Sequence, residues 1–389
     1  MFRIIKNPSF NFMGKRKVLL SVSLVMVLVA IGLLAFRGLN QGIEFTGGTQ
    51  LQIQFAEPPD VPTIRQSLTD AGLSGSQVTT IGDAAKNEVV IRLPSAGDTA
   101  ADDEQGAAAF AALRRQLGVV GEGGNDLNIV DSSMLVSKLS GIAGAESTAQ
   151  SIADGIQELR KDGAIFRSFD ELKAVPGMTD EALEVLKTDM TLGPLSLRKR
   201  SYVGPAVGQE LIRKTLAAIA GSLVGLLLYI WIRFQLQWGF AAVVALAHDT
   251  LITLGLFALF RQEMSLAVVA AFLTLVGYSV NDTVVVFDRI RENLRNRGAE
   301  SIETTINRSI NQTLARTIIT SGLTWVVVLA LFVFGGAALR PFAFVLTVGV
   351  VVGTYSSICV ASPFLILWSE FLAKRRGAAA TKVPVRGAG

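Results

Sequence analysis

The 389-residue sequence contains one cysteine, Cys359, and one histidine, His248. A single cysteine excludes an intrachain disulfide and a cysteine-rich metal site, and a single histidine excludes a histidine-based metal cluster. Charge is scarce too: 17% of residues are Asp, Glu, Lys or Arg, against 50% hydrophobic. Mean hydropathy is +0.46. A soluble chain this apolar could not cover its surface, which argues against a soluble enzyme. The sequence offers no nucleophile–base set and no phosphate-binding loop. Gly47-Gly48 lies in a strand lead-in, not in a nucleotide-binding turn. Neither catalysis nor a bound cofactor or metal is expected.

The net charge of +4 hides an asymmetry. Residues 37–211 carry 15 Lys and Arg against 24 Asp and Glu, a balance of −9, and the remainder carries +13. The chain thus joins an acidic stretch of soluble character to a basic apolar body. A basic body of this kind is what Lys and Arg on cytoplasmic loops produce, so nucleic acid need not be invoked.

Six stretches reach the roughly 20 apolar residues that a spanning helix needs: 18–36, 215–232, 238–260, 264–287, 317–334 and 342–367. The first follows Arg3, Lys6, Lys15, Arg16 and Lys17. Its alternative is a cleaved signal peptide. The run is longer than a signal core, and Arg37-Gly38-Leu39-Asn40 offers no small-residue cleavage pattern, so an uncleaved span is expected. Lys and Arg crowd residues 1–17, 288–316 and 372–389, whereas the short opposite loops hold only Arg261 and Arg340. Both termini are therefore expected in the cytoplasm and the acidic loop outside. The domains expected are a cytoplasmic terminus (1–17), span one (18–36), an extracytoplasmic domain (37–130) and a helical insertion (131–200). A linker (201–214), a five-span bundle (215–367) and a basic tail (368–389) follow.

Within the loop, Leu51, Ile53 and Phe55 alternate with Gln50, Gln52 and Gln54, the period of a half-buried strand. Val61-Pro62 opens a helix through Ile64 and Leu68. Residues 77–81 and 88–93 read as strands joined by a Gly-Asp turn, 95–105 as a loop, and 107–117 as a helix. Leu127–Val130 could close the sheet. The order β-α-β-β-α-β gives a ferredoxin-like α+β sandwich. In 131–200, Ile152, Ile156 and Leu159 have helical spacing, Ser168 and Glu171 have capping-box spacing, and 172–187 resembles a helix-hairpin-helix unit. Outside the membrane such a unit serves packing or protein contact rather than nucleic acid.

Ionisable groups inside a span cost about 2.5–3.5 kcal/mol each on insertion scales and call for a reason. Asp249 lies mid-span beside His248. Asp282 interrupts an apolar span, next to Asn281. Arg316 stands where the fifth span enters the membrane, one turn before Thr320 and Ser321. A membrane carboxylate facing an arginine could couple proton binding to conformation; a static buried ion pair that fixes helix packing is the alternative. His248 could relay protons or simply pack at a helix end.

These residues, taken in order, resemble the SecF family of protein-export membrane subunits. Asn7–Phe12 precedes span one, and Gly42-Ile-Glu44-Phe45-Thr-Gly47-Gly48-Thr49 follows it. Val203-Gly204-Pro205-Ala-Val-Gly208-Gln-Glu210-Leu211 leads into span two, and Ala247-His-Asp249 sits in span three. Gly277-Tyr-Ser-Val-Asn281-Asp282 begins the run through Arg289, and Arg316-Thr-Ile-Ile-Thr320-Ser321 opens span five. Glu44 stands where the family usually has Asp, and 131–200 has no counterpart in the typical member. The resemblance implies a polytopic bundle related to the resistance-nodulation-division exporters, placed in the inner membrane. It implies a separate SecD partner, the SecYEG channel and the SecA motor, with YajC or YidC as further associates. It also implies contact with the translocating polypeptide and with membrane lipids. It implies use of the proton gradient late in export, with Asp282 titrating, Arg316 switching against it, Asn281 and Thr320 as neighbours, and Asp249 as a weaker candidate. A small-molecule transporter subunit and a scaffold without proton chemistry are the competing readings.

Overall fold

The computed structural model describes residues 8–81, 86–97, 99–117, 125–140, 146–162, 165–233, 236–296 and 298–370. The Gly82-Asp83 turn, the extreme amino terminus and the basic tail beyond residue 370 lie outside them. The chain forms two units, one of Met1–Gly42 with Arg213–Gly389 and one of Ile43–Ile212.

In the first unit the long helices begin with α1 (Arg16–Arg37), and β1 (Asn40–Gln41) follows it. In the second unit a short helix α2 (Ile43–Thr46) leads into β2 (Gly48–Phe55), α3 (Val61–Asp70), β3 (Gln77–Thr80), β4 (Glu88–Leu93) and α4 (Thr99–Gln116). Then come α5 (Ser132–Leu139), α6 (Glu146–Asp162), α7 (Asp180–Asp189) and β5 (Leu195–Val203). The antiparallel sheet has the order β3-β4-β2-β5, the ferredoxin-like arrangement. The alternation expected of β2 is present: Leu51, Ile53 and Phe55 are buried, while the glutamines between them are half-exposed. The inward residues pack on Ile64 and Leu68 of α3 and on Ala109 and Leu113 of α4. Each fully buried Leu or Ile contributes about 1.5–3 kcal/mol.

The sheet corrects one expectation. Leu127–Val130 does not close it; β5 does, pairing with β2 from Phe55↔Leu195 to Gly48↔Val203. Leu127 and Val130 belong instead to a separate helical core with Leu135, Ile156, Phe166, Leu172 and Leu186. The helical segment is thus inserted between α4 and the last strand of the sheet. Helix α4 also starts at Thr99, so much of the stretch expected as loop is helix. The Ser168–Glu171 capping box forms as read, at the start of a short 3-10 helix, Phe169–Ala174, rather than an α-helix.

Asp126 ties the insertion to the sheet unit. It is fully buried and accepts from Arg114 Nη1 at 2.6 Å, from Asn128 N at 3.0 Å and from Gly193 N at 3.1 Å. Burial pushes its carboxyl above the ordinary 3.8, against the pull of the two N–H donors and Arg114. Arg160, donating to the carbonyls of Val130 and Leu197, is drawn down by burial to about 10.

The first unit resumes through α8 (Pro205–Arg233), α9 (Leu236–Leu259), β6 (Glu263–Met264), α10 (Leu266–Arg295), α11 (Ile302–Phe334) and α12 (Gly336–Ser356). Helix α12 passes through a π turn, Ser357–Ala361, and continues helical to Glu370. Among the described residues, six helices are long and apolar enough to cross a bilayer. The second begins at Pro205 rather than Thr215, so residues 201–214 are strand end and helix start rather than a linker. Helices pack closely where glycine permits it: a Cβ on Gly255 would come within 2.5 Å of Ala30, and one on Gly349 within 2.5 Å of Leu275. The amino-terminal segment docks on α11, where Asn307 Oδ1 accepts from Phe12 N and Asn311 Oδ1 from Phe10 N.

Candidate functional site

Helix α10 buries one continuous stripe, Val268, Ala271, Leu275, Ser279, Asp282, Val286 and Ile290. The three- and four-residue steps keep these side chains on one face. Two of them, Ser279 and Asp282, are polar and sit among the apolar ones.

Asp249 of α9 meets this stripe. It is fully buried, and its Oδ2 accepts from Ser279 Oγ at 2.5 Å and from Ser356 Oγ at 2.7 Å. His248 Nδ1 lies 2.9 Å from its Oδ1. The His248 ring also stacks on Tyr355 at 6.2 Å, and the Tyr355 hydroxyl lies 3.1 Å from Ser23 Oγ of α1. Asp282 is 5% exposed and accepts from Ser357 Oγ at 3.4 Å. Thr317 of α11 stands beside the same carboxyl, its buried hydroxyl outside good hydrogen-bond geometry. Among the described residues no Lys or Arg pairs with either aspartate.

The structure separates the expected residues into two groups. Asp249 and Asp282 lie in the packed interior, served by hydroxyls. Arg316, Asn281 and Thr320 lie on exposed faces of α10 and α11. The expected Asp282–Arg316 pair is not formed in this chain. Helical phase explains it: the buried face of α11 runs through Thr305, Ser309, Thr313, Thr317 and Ser321, and Arg316 lies outside that row. A period-four file of hydroxyls was legible in the sequence and would have pointed to Thr317. Ser279, Ser356 and Ser357 carry no such signal, because lone serines in apolar helices are common.

The motif residues from Glu44 to Gly48 meet those from Gly204 to Gly208 within the second unit. A Cβ on Gly208 would lie 3.5 Å from Gly47 N and 3.6 Å from the Glu44 carbonyl. A Cβ on Gly47 would lie 3.5 Å from Pro205. Gly48 has φ +111° and takes the place where a Cβ would fall 2.2 Å from the Leu93 carbonyl oxygen, so only glycine fits without strain. Gly42 is buried and Phe45 half-buried, Gly204 borders the Tyr202 hydroxyl, and Glu210 is exposed on the first turns of α8. Among the described residues no group of His, Cys, Asp and Glu could hold a metal ion.

Two family models match the chain. The SecD/SecF GG motif covers residues 32–59, and the C-terminal model of the protein export membrane proteins SecD/SecF covers 185–371. Protein translocase subunit SecF of Koribacter versatilis is 39% identical over 97% of this chain and 96% of that protein. The chain belongs to the SecF family. The SecF subunit of Desulfurispirillum indicum is 37% identical over 92% of the chain and 91% of its own length. Among solved structures, SecDF of Thermus thermophilus, a translocon-associated membrane protein, superposes with a TM-score of 0.65 at 30% identity, over 94% of this chain. The chain spans 39% of that longer protein. Membership of the SecF family makes this a multi-pass membrane protein of Sec-pathway protein export, with relatives named as translocase subunits.

Proposed function

We propose that the chain is the SecF half of a SecD–SecF assembly in the cytoplasmic membrane, a transport subunit rather than an enzyme. It uses the proton gradient to promote the late, outer stage of protein export. The termini face the cytoplasm, the sheet unit with its helical insertion stands outside, and SecYEG and SecA supply channel and motor. Supporting this orientation are the basic segments at both termini and between α10 and α11.

The observation that carries the proton reading is Asp282. It is a carboxylate within a spanning helix, nearly buried, whose neighbours are neutral hydroxyls rather than a cation. An ionised form is costly there, and among the described residues no Lys or Arg pairs with it to hold it in one state. Protonation is therefore a change the bundle can feel. Arg316 and Thr320 on α11 and Asn281 on α10 are each exposed, and we assign these positions to contact with the SecD half. That the SecDF chain is more than twice as long as the part matched here supports a second half.

The test is export of a pulse-labelled secretory precursor in cells depleted of their own SecF and supplied with this chain and its SecD. Asp282→Asn at matched membrane level should fail to restore export. Full restoration would overturn the assignment.

A further inference from the structure

Three consecutive residues at the end of α12 each reach a different helix. Tyr355 bonds Ser23 and the Leu19 carbonyl of α1. Ser356 donates to Asp249 of α9 at 2.7 Å, and Ser357 donates to Asp282 of α10 at 3.4 Å. They stand at the entry to the π turn Ser357–Ala361, where the regular α-helical hydrogen-bond pattern gives way. Both serines also bond backward to carbonyls of their own helix, Gly353 and Thr354. Single π turns inside α-helices are frequent at functional sites.

Ser356 is fully buried and Asp249 holds it between two further anchors, Ser279 and His248. Asp249 is therefore the better-fastened carboxylate, and Ser357 makes the longer, looser bond to Asp282. Rotation of the turn that brought Ser357 closer to Asp282 would strain the bond of Ser356 to Asp249. The two bonds are made from adjacent residues at the start of one turn, so a change in that turn acts on both.

We propose that Ser356 and Ser357 form a hydroxyl bridge from Asp249 to Asp282, which makes Asp249 the positioning residue that sets how α12 presents its donor to the proton-binding carboxyl. This rests on the reading of Asp282 as a proton-binding group. The titratable groups around the bridge are His248 on α9 and Tyr355 and Cys359 on α12. The buried face of α11 offers only Thr317 and Ser321, with Arg316 turned outward, and α1 contributes Ser23. No cation lies in the bridge among the described residues, so the hydroxyls are the connection between the two acids.

The test is a pH titration of the Asp282 carboxyl by difference infrared spectroscopy, on the full chain in lipid nanodiscs, with the band assigned by its loss in Asp282→Asn. Ser357→Ala should move the midpoint by about one pH unit, a tenfold change in proton affinity. Ser356→Ala removes the donor to Asp249 and to the Gly353 carbonyl but none to Asp282, leaves every charge in place, and should move the midpoint in the same direction by a similar amount. The double variant should move it no further than either single, as expected for one shared connection. Ser356→Cys keeps the volume with a weaker donor and should give an intermediate shift; it is read instead where Ser356→Ala fails to insert. A wild-type midpoint in the Ser356 variants alongside a shifted Ser357→Ala, or a double shift equal to the sum, would overturn the bridge. Absence of any titrating band that Asp282→Asn removes would overturn both the bridge and the proton reading beneath it.

Discussion

Arg316 and Thr317 are neighbours on α11, yet Thr317 is buried beside the Asp282 carboxyl and Arg316 is exposed. The arginine thus lies off the buried face of α11. Arg316→Ala is expected to leave the unfolding transition of the isolated protein in detergent within about 0.5 kcal/mol of wild type. The same variant should lower export where the SecD half is present. A matching loss of stability would show that Arg316 packs within the bundle, contrary to its exposed position.

The insertion depends on Asp126. Asp126→Asn leaves Arg114 without its buried charge partner, a loss of about 3–5 kcal/mol for pairs of this kind. Hydrogen exchange of β5 and the insertion helices in the whole protein should report it. The pH dependence has a definite sign. Burial raises the folded value above 3.8, so the folded state binds this proton more tightly than the unfolded state. The contribution of that proton is full below 3.8 and is lost as pH rises through the raised value. Wild type should accordingly lose stability as pH rises from acid through that raised value, whereas Asp126→Asn, which has no proton to lose there, should lack this pH dependence.

Gly48→Ala tests the turn that starts the central strand. The left-handed φ alone costs about 1–3 kcal/mol for a residue with a Cβ. The collision with the Leu93 carbonyl adds to that. Faster exchange at the β2–β4 pairing, with the six helices unaffected, is the expected result.

Asn307→Ala should free the amino-terminal segment. It removes the acceptor of Phe12 N and Met13 N and a donor to the Phe10 carbonyl, each bond worth about 1 kcal/mol net. Limited proteolysis in detergent should then cut between Phe10 and Met13 before it cuts elsewhere. Unchanged protection there would contradict the docking.

Much of the fold was legible because its signals are local. Six long apolar runs, the period-two alternation of β2 and the Ser168 capping box each follow from a few residues. The closing strand was not legible. Leu195–Val203 carries Arg198, Lys199 and Arg200 and buries only its first residues, as befits a charged edge strand. Leu127–Val130 is the more apolar run, yet it serves the core of the insertion. At the site, the two aspartates could be read from the cost of charge in a span. Their hydroxyl partners could not, because Ser356 and Ser357 acquire meaning only from the rotation of α12 against α9 and α10. Helical phase likewise decided between Arg316 and Thr317, and span boundaries alone do not give phase.

The most direct test of Asp282 as the proton-responsive group is export from cells carrying this chain and its SecD, measured with and without dissipation of the proton gradient. The account predicts that wild type loses its stimulation of export when the gradient is dissipated, and that Asp282→Asn at equal membrane level shows none in either condition. Gradient-dependent stimulation that persists in Asp282→Asn would contradict it.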